Sequence, residues 1–113
     1  MHELTLTQNI LSIVLEKARE AKAGKVTRVN LAIGELSGVV DECVRFYFDF
    51  LSRNTIAAQA DLTFRHHKVE LRCQNCSFTF SPRKNDWSCP NCHRQQAEVI
   101  SGRECYIDSI EVE

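Results

Sequence analysis

The stretch Cys73-Gln74-Asn75-Cys76, followed twelve residues later by Cys89-Pro90-Asn91-Cys92, decides how this chain of 113 residues is organised. Two Cys-x-x-Cys pairs at that spacing predict one tetrahedral metal site, because each pair forms a tight turn that directs both sulfurs towards one ion. Zinc is the expected ion, and rubredoxin-like iron is the alternative because thiolates accept either. A redox dithiol normally occurs once and beside a βαβ pattern, so two copies favour a metal-binding ribbon.

Few apolar side chains accompany these cysteines. The large ones between Glu70 and Ala97 are Leu71, Phe78, Phe80 and Trp87. So small an apolar set predicts that this segment folds only with its ion bound, and that chelation unfolds it first.

Composition excludes several classes of protein. The formal net charge of −1 supplies no field that would attract a polyanion, which disfavours a general nucleic-acid binder. No apolar run is long enough to cross a bilayer, so we expect a soluble, cytoplasmic protein without a membrane partner.

Cys43 and Cys105 lie outside the four-cysteine metal motif. We expect both to be reduced, small, buried residues, which fits a reducing compartment.

The first half of the chain alternates between helical and strand patterns. Apolar residues spaced by three and four predict a helix from about Thr5 or Thr7 to Ala23, with Gly24 in the left-handed position after its end. A period of two then predicts a strand from Val26 to Ile33 with one wet face. Asp41 is the expected N-cap of a second helix that runs to Leu51.

The second helix is rich in aromatic residues. Phe46, Tyr47, Phe48 and Phe50 could form a ligand-binding box, but aromatic residues at helical spacing beside an amphipathic partner are usually packing residues. We therefore expect them in the core.

A second alternating segment leads from Leu62 towards Cys73, and a third runs from Tyr106 to the C-terminal Glu113. A lone strand at a chain end is unstable in water and must join a sheet, so we expect the last strand to return to the first two and the ribbon to be an insertion. The expected fold is α+β: a small sheet with two helices, plus an inserted four-cysteine zinc-ribbon domain. The expected domains are residues 1–69 with 104–113, and residues 70–103.

The four histidines are the remaining candidates for chemistry, since the sequence has no nucleophile elbow, phosphate loop or His-Glu-x-x-His motif. Adjacent His66 and His67 point to opposite faces of a strand, so one is expected packed and the other wet. His93 follows the fourth cysteine and could donate a hydrogen bond to a thiolate or replace one, although a solvated side chain explains it equally well. The terminal amine of Met1 with the amide and imidazole of His2 could chelate Ni²⁺ or Cu²⁺.

The chain resembles the HypA/HybF family of nickel-insertion accessory proteins for [NiFe]-hydrogenase maturation. The resemblance covers the whole chain. It is carried by Met1-His2-Glu3-Leu4, by Ile33-Gly34-Glu35-Leu36-Ser37, and by the two cysteine pairs with His93 after the second.

The resemblance implies a metallochaperone rather than an enzyme. It implies nickel ligands at Met1 and His2, with Glu3 in the site or its surroundings and structural zinc on the four cysteines. An acidic residue at the start of the second helix, Asp41 or Glu42, is a further candidate. The implied partners are the maturation GTPase and the [NiFe]-hydrogenase large subunit, with the chain a monomer or weak homodimer.

Some relatives carry a histidine two residues beyond the second zinc cysteine, where this chain has Phe78. We therefore expect a plain four-cysteine site, with His93 the only nearby histidine that could exchange into it. The alternative function is a zinc-ribbon module that binds protein or nucleic acid without nickel. Phe78, Phe80 and Trp87 would be available to it for stacking, but four basic residues against two acidic ones across 70–97 give little positive surface. A zinc enzyme is disfavoured because four cysteines leave no open coordination position.

Overall fold

The computed structural model describes residues 3–84 and 86–113, which form two helices and six strands. In chain order the elements are α1 (Glu3–Glu20), β1 (Val26–Gly34), α2 (Asp41–Leu51), β2 (Asp61–His67), β3 (Glu70–Cys73), β4 (Thr79–Phe80), β5 (Ala97–Ser101) and β6 (Cys105–Val112). Neither described helix combines the length and apolarity needed to cross a membrane.

The strands form two three-stranded sheets, one in the order β2-β1-β6 and the other in the order β4-β3-β5. The last strand therefore pairs with the first, as the sequence predicted from its need for partners. The segment between β2 and β6 builds the second sheet, in which Leu71 pairs with Phe80 on one side and with Val99 on the other. The α+β architecture with an inserted ribbon is confirmed.

The chain divides into two compact units. The first unit comprises Met1–Ala32, Gly38–Arg65 and Tyr106–Glu113, and the second comprises Ile33–Ser37 and His66–Cys105. The second unit thus includes 33–37, 66–69 and 104–105, which the sequence had assigned to the helical domain. The reason is hydrogen bonding, because the amides of Gly34, Glu35 and Leu36 donate to the carbonyls of Glu104, His67 and Gly102, respectively.

The first unit has a continuous apolar core between its helices and its sheet. Its buried members are Ile10, Leu11, Val14, Ala18, Val26, Val29, Leu31, Val44, Phe48, Ala57 and Leu62. The second half of β1 is buried on both faces, since Ala32 between Leu31 and Ile33 is also inaccessible. The prediction of one wet face was therefore wrong for this half of β1.

Helix α1 begins and ends earlier than predicted. It starts at Glu3, and after Glu20 the chain closes with two bonds: the Ala23 N–H donates to the Ala18 carbonyl and the Lys22 N–H donates to the Arg19 carbonyl. This is a Schellman closure, in which the residue after the cap takes a left-handed conformation. Lys22 occupies that position with φ of 56°, so the prediction for Gly24 was wrong.

Three predictions about α2 were also wrong. Val40 is the N-cap, and Asp41 is the first helical residue. Only Phe48 of the phenylalanines is buried, whereas Phe46 is 69% and Phe50 60% exposed. Cys43 is exposed as well. The physical reason is that one short helix buries one stripe, and this stripe is taken by Val44 and Phe48.

Candidate metal sites

The four cysteines of the ribbon converge. The sulfurs of Cys73 and Cys92 lie 3.5 Å apart and those of Cys76 and Cys89 lie 3.6 Å apart. All four lie within 4.8 Å of one another. A tetrahedral zinc site with Zn–S bonds of about 2.3 Å places its sulfurs about 3.8 Å apart, so four sulfurs this close together can surround a zinc ion.

Two equivalent turns hold these thiols. The Ser77 N–H donates to the Cys73 carbonyl and the His93 N–H donates to the Cys89 carbonyl, both at 2.8 Å. Ser77 and His93 each follow the second cysteine of a pair and share the same left-handed φ of 64°. Neither residue is glycine, so the turn conformation could be inferred only from the cysteine spacing.

The thiols differ in their electrostatics. The side-chain amide of Asn91, 3.5 Å from the Cys76 sulfur, is the main cause that lowers the pKa of Cys76 to about 6. The backbone at Arg94 lowers the pKa of Cys92, whereas burial raises the pKa of Cys89. Two thiols are therefore predisposed to the thiolate form that metals bind.

Asn91 was not singled out from the sequence, although it has a clear role. Its side-chain N–H group points at a ligand sulfur on the other cysteine pair. Groups that donate to thiolates orient metal ligands and tune the site. An amide residue inside a Cys-x-x-Cys turn was the sequence feature that could have revealed it.

His93 has an exposed side chain, and its backbone completes the second turn. Its exchange into the zinc site stays a prediction.

For the adjacent histidines His66 and His67, the expectation of one packed and one solvated side chain is met. His66 is exposed, and His67 is half-buried with Nδ1 3.9 Å from a Glu104 carboxylate oxygen. Cys105 is half-buried, and burial raises the pKa of its thiol.

The candidate nickel ligands Met1 and His2 lie outside the described residues. Glu3 is the first residue of α1 and is half-buried. Its side-chain Oε2 accepts a hydrogen bond of 3.2 Å from the Val40 N–H, at the start of α2. In a capping box, the N–H of the N-cap residue donates to a glutamate of the same helix. Here the N-cap N–H of α2 donates to Glu3 of α1 instead, so Glu3 links the starts of the two helices.

Comparison with known proteins identifies the family. The model of the HypA family, described as hydrogenase/urease nickel incorporation, metallochaperone, matches residues 1–112. The chain belongs to the HypA family. The resemblance noted from the sequence is therefore confirmed, and with it a role in nickel incorporation during hydrogenase maturation.

Relatives in the family match over 95% or more of their lengths. Hydrogenase maturation factor HypA of Dehalococcoides mccartyi strain 195 is 46% identical over 113 residues, covering 100% of this chain and 95% of that protein. HypA of Caldanaerobacter subterraneus is 41% identical over 114 residues, and HybF of Salmonella typhimurium is 35% identical over 113 residues, each covering 100% of both chains.

Solved structures of the family share the fold. The solution structure of a HypA protein superposes with a TM-score of 0.80 at 29% identity, covering 100% of this chain and 97% of that one. The solution structure of the Ni metallochaperone HypA from Helicobacter pylori gives a TM-score of 0.71 at 28% identity, covering 99% and 97%.

Proposed function

We propose that this HypA-family chain binds one Ni²⁺ at its N-terminus and delivers it to the large subunit of a [NiFe]-hydrogenase, together with the maturation GTPase. The nickel ligands are the amine of Met1 and the amide nitrogen and imidazole of His2. The observation that carries the proposal is the family match, which begins at residue 1 and describes nickel incorporation.

The chemistry of these donors suits a cargo ion. An amine, a deprotonated amide and an imidazole favour late divalent metals in a planar arrangement. A site at a chain terminus, open on one side, can release its ion by stepwise ligand exchange. The four-thiolate site is closed and suits a structural ion, so we assign zinc there and nickel to the terminus.

The Glu3 contact supports a positioning role for this residue. A carboxylate that accepts from the Val40 amide sits at the positive end of α2, which stabilises its charge. Asp41 follows Val40 directly and is half-buried, whereas the Glu42 side chain is 86% exposed and lies 3.9 Å from Arg45. We therefore favour Asp41 over Glu42 as the acidic residue nearest the nickel.

The test is a Ni²⁺ titration of the untagged, zinc-loaded chain by calorimetry, with zinc counted in the same sample. We expect one nickel bound per chain in addition to one zinc. His2→Ala should remove stoichiometric nickel binding and leave the zinc content unchanged, because only the imidazole is lost. An N-terminal extension of two residues should act similarly, because it displaces the terminal amine.

His66→Ala is the matched control, since His66 is an exposed histidine of β2, 64 residues from His2 along the chain. It should bind nickel like the wild type. Undiminished nickel binding by His2→Ala would remove the basis for the terminal site. A protein that binds no added nickel in any form would refute the nickel role itself.

A further inference from the structure

A small cavity lies at the C-terminal end of α2, within the first unit. Its volume is about 180 Å³. The last turns of α2 and the segment that leads into β2 line it, with Arg45, Phe48, Asp49, Ser52, Gln59, Ala60, Asp61 and Leu62. Pockets for drug-sized ligands have roughly 300–1,000 Å³, so this one suits a group about the size of a single side chain.

Ser52 contributes a buried hydroxyl to the lining of this cavity. Ser52 is 1% exposed, and within residues 3–84 and 86–113 its Oγ is the one buried side-chain polar atom without a hydrogen-bond partner. The backbone of Ser52 is satisfied, because its N–H donates to the Phe48 carbonyl and its carbonyl accepts from Thr55. Burying an unpaired hydroxyl costs free energy, so a ligand that bonds to this Oγ gains an interaction that the chain alone does not supply.

The electrostatics of the cavity favour a positive charge. Ser52 is the C-cap of α2, so the negative end of the helix dipole lies at the cavity, and the last turn of α2 contains no basic residue. Two carboxylates line the cavity as well. Asp49 lies 3.8 Å from Arg53, whereas Asp61 forms no ion pair with any residue that the structure describes.

Arg45 also lines the cavity, but its guanidinium is engaged elsewhere. Nη1 donates to the Leu62 carbonyl at 2.8 Å, and the group lies 4.7 Å from the centroid of the Phe64 ring. Its Nε lies 3.9 Å from a Glu42 carboxylate oxygen, which balances its charge. Arg45 is therefore not the counter-ion of Asp61.

The remaining wall of the cavity is apolar. Phe48 and Leu62 are buried and Ala60 is half-buried. A hard metal ion such as Ca²⁺ takes six to eight oxygen ligands, which such a wall does not provide. It suits instead the methylene stem of an alkylammonium, which packs on apolar surface while its charged head stays among polar groups.

We propose that this cavity binds a primary ammonium group carried on a short aliphatic stem. The head has three N–H donors and no acceptor, and the Ser52 Oγ, the Asp61 carboxylate and the Gln59 amide oxygen are acceptors in the lining. The stem packs against the apolar wall. A lysine side chain of another protein and a free alkylamine share this chemistry. No lining residue is a candidate nickel or zinc ligand, so the proposal does not depend on the nickel function.

The first experiment is an NMR titration of the ¹⁵N-labelled, zinc-loaded, untagged chain with n-butylamine at neutral pH and constant ionic strength. The amide signals of Ser52, Gln59 and Asp61 should shift and saturate. The dissociation constant should be on the order of millimolar, because a ligand of so few atoms has little surface with which to bind. n-Butanol has the same stem without the charge and should bind at least tenfold more weakly.

Two variants assign the binding to the cavity. Asp61→Asn removes the unpaired carboxylate and should weaken n-butylamine binding at least tenfold. Ser52→Ala should weaken it at least threefold without lowering the free energy of unfolding, because the hydroxyl bonds to nothing in the folded chain. Glu16→Gln is the matched control, since it removes an exposed carboxylate of α1 that does not line the cavity, and it should bind like the wild type.

Two further probes distinguish the sources of the ammonium group. Tighter binding of Nα-acetyl-lysine methylamide than of 1,4-diaminobutane would assign the cavity to a lysine side chain of another protein. The reverse order would assign it to a free diamine.

Three results would overturn the proposal. The first is the absence of a saturable shift with n-butylamine, which would leave the Ser52 hydroxyl to a water molecule. The second is equal binding of n-butylamine and n-butanol. The third is n-butylamine binding that neither Ser52→Ala nor Asp61→Asn weakens, which would place the amine elsewhere on the chain.

Discussion

Removing zinc should unfold the second unit and leave the first intact. The second unit buries few aliphatic side chains: Ile33, Val69 and Leu71. At about 1.5–3 kcal/mol for each, they contribute about 5–9 kcal/mol. Structural zinc in zinc-finger peptides contributes about 10–16 kcal/mol, so the ion is the larger of the two stabilising terms. The first unit has its own eleven-residue buried core and does not share this dependence.

The assay is amide hydrogen exchange before and after zinc is removed by a chelator under reducing conditions, with residual metal counted. Exchange should approach unfolded rates across β3 to β5, where the ladder joins Leu71 to Phe80 and Val99. Amides of α1 and the centre of β1 should keep their protection. Trp87, the only tryptophan, lies in the second unit and gives a fluorescence reading of the same event.

Two variants control this experiment. Cys89→Ser removes a buried ligand sulfur and should reproduce the effect without chelator. Cys43→Ser changes an exposed cysteine of α2 and should keep both zinc and protection. Retained protection across residues 70–101 in a chain shown to contain no metal would refute the reasoning, because the apolar contacts would then suffice.

Two further predictions concern the segment between β5 and β6. Gly34→Ala should lower the free energy of unfolding by about 3 kcal/mol in denaturant titrations, because the new Cβ would collide with the backbone carbonyl of Gly102, which cannot rotate away as a side chain can. The control is Gly24→Ala, which has open space around the new Cβ and should leave the free energy of unfolding unchanged. Equal effects of the two substitutions would contradict this account. Hydrogen bonds from the Gly102 N–H hold the pKa of Glu104 in the folded protein below its usual range. The ionised carboxylate therefore stabilises the fold at any pH above the pKa that Glu104 has in the unfolded chain, and this stabilisation is lost as the pH falls through the lowered pKa of the folded state. Glu104→Gln should therefore be less stable at neutral pH and lose less stability in acid than wild type, with Glu16→Gln as control for loss of a charge; an unchanged pH profile would exclude this role.

The sequence was informative wherever local spacing determines the chemistry. The Cys-x-x-Cys spacing alone predicted the metal site, because a turn of that length can hardly direct its sulfurs elsewhere. The pairing of β6 with the first sheet followed from the instability of a lone strand. The role of Asn91 was not apparent, because the hydrogen bond to Cys76 joins residues on different turns.

The sequence was misleading where burial depends on how much surface a neighbour can cover. The aromatic residues of α2 all predicted core, yet one stripe of an eleven-residue helix is filled by Val44 and Phe48. Nothing local distinguishes Phe48 from Phe46 or Phe50, since all three have the same side chain on the same helix. Likewise, Lys22 occupies the left-handed position expected of Gly24. The hydrogen bonds that end α1 determine which position becomes left-handed, whatever residue type stands there.

The sequence by itself thus determined that the chain has a four-cysteine metal site inserted into an α+β domain, because these features follow from short-range spacing and strand pairing. Only the tertiary structure decided which residues belong to each unit, that Glu3 holds the start of α2, and that Phe46 and Phe50 face outward. Each of these depends on contacts between residues far apart in the chain, and those contacts exist only after the elements have packed.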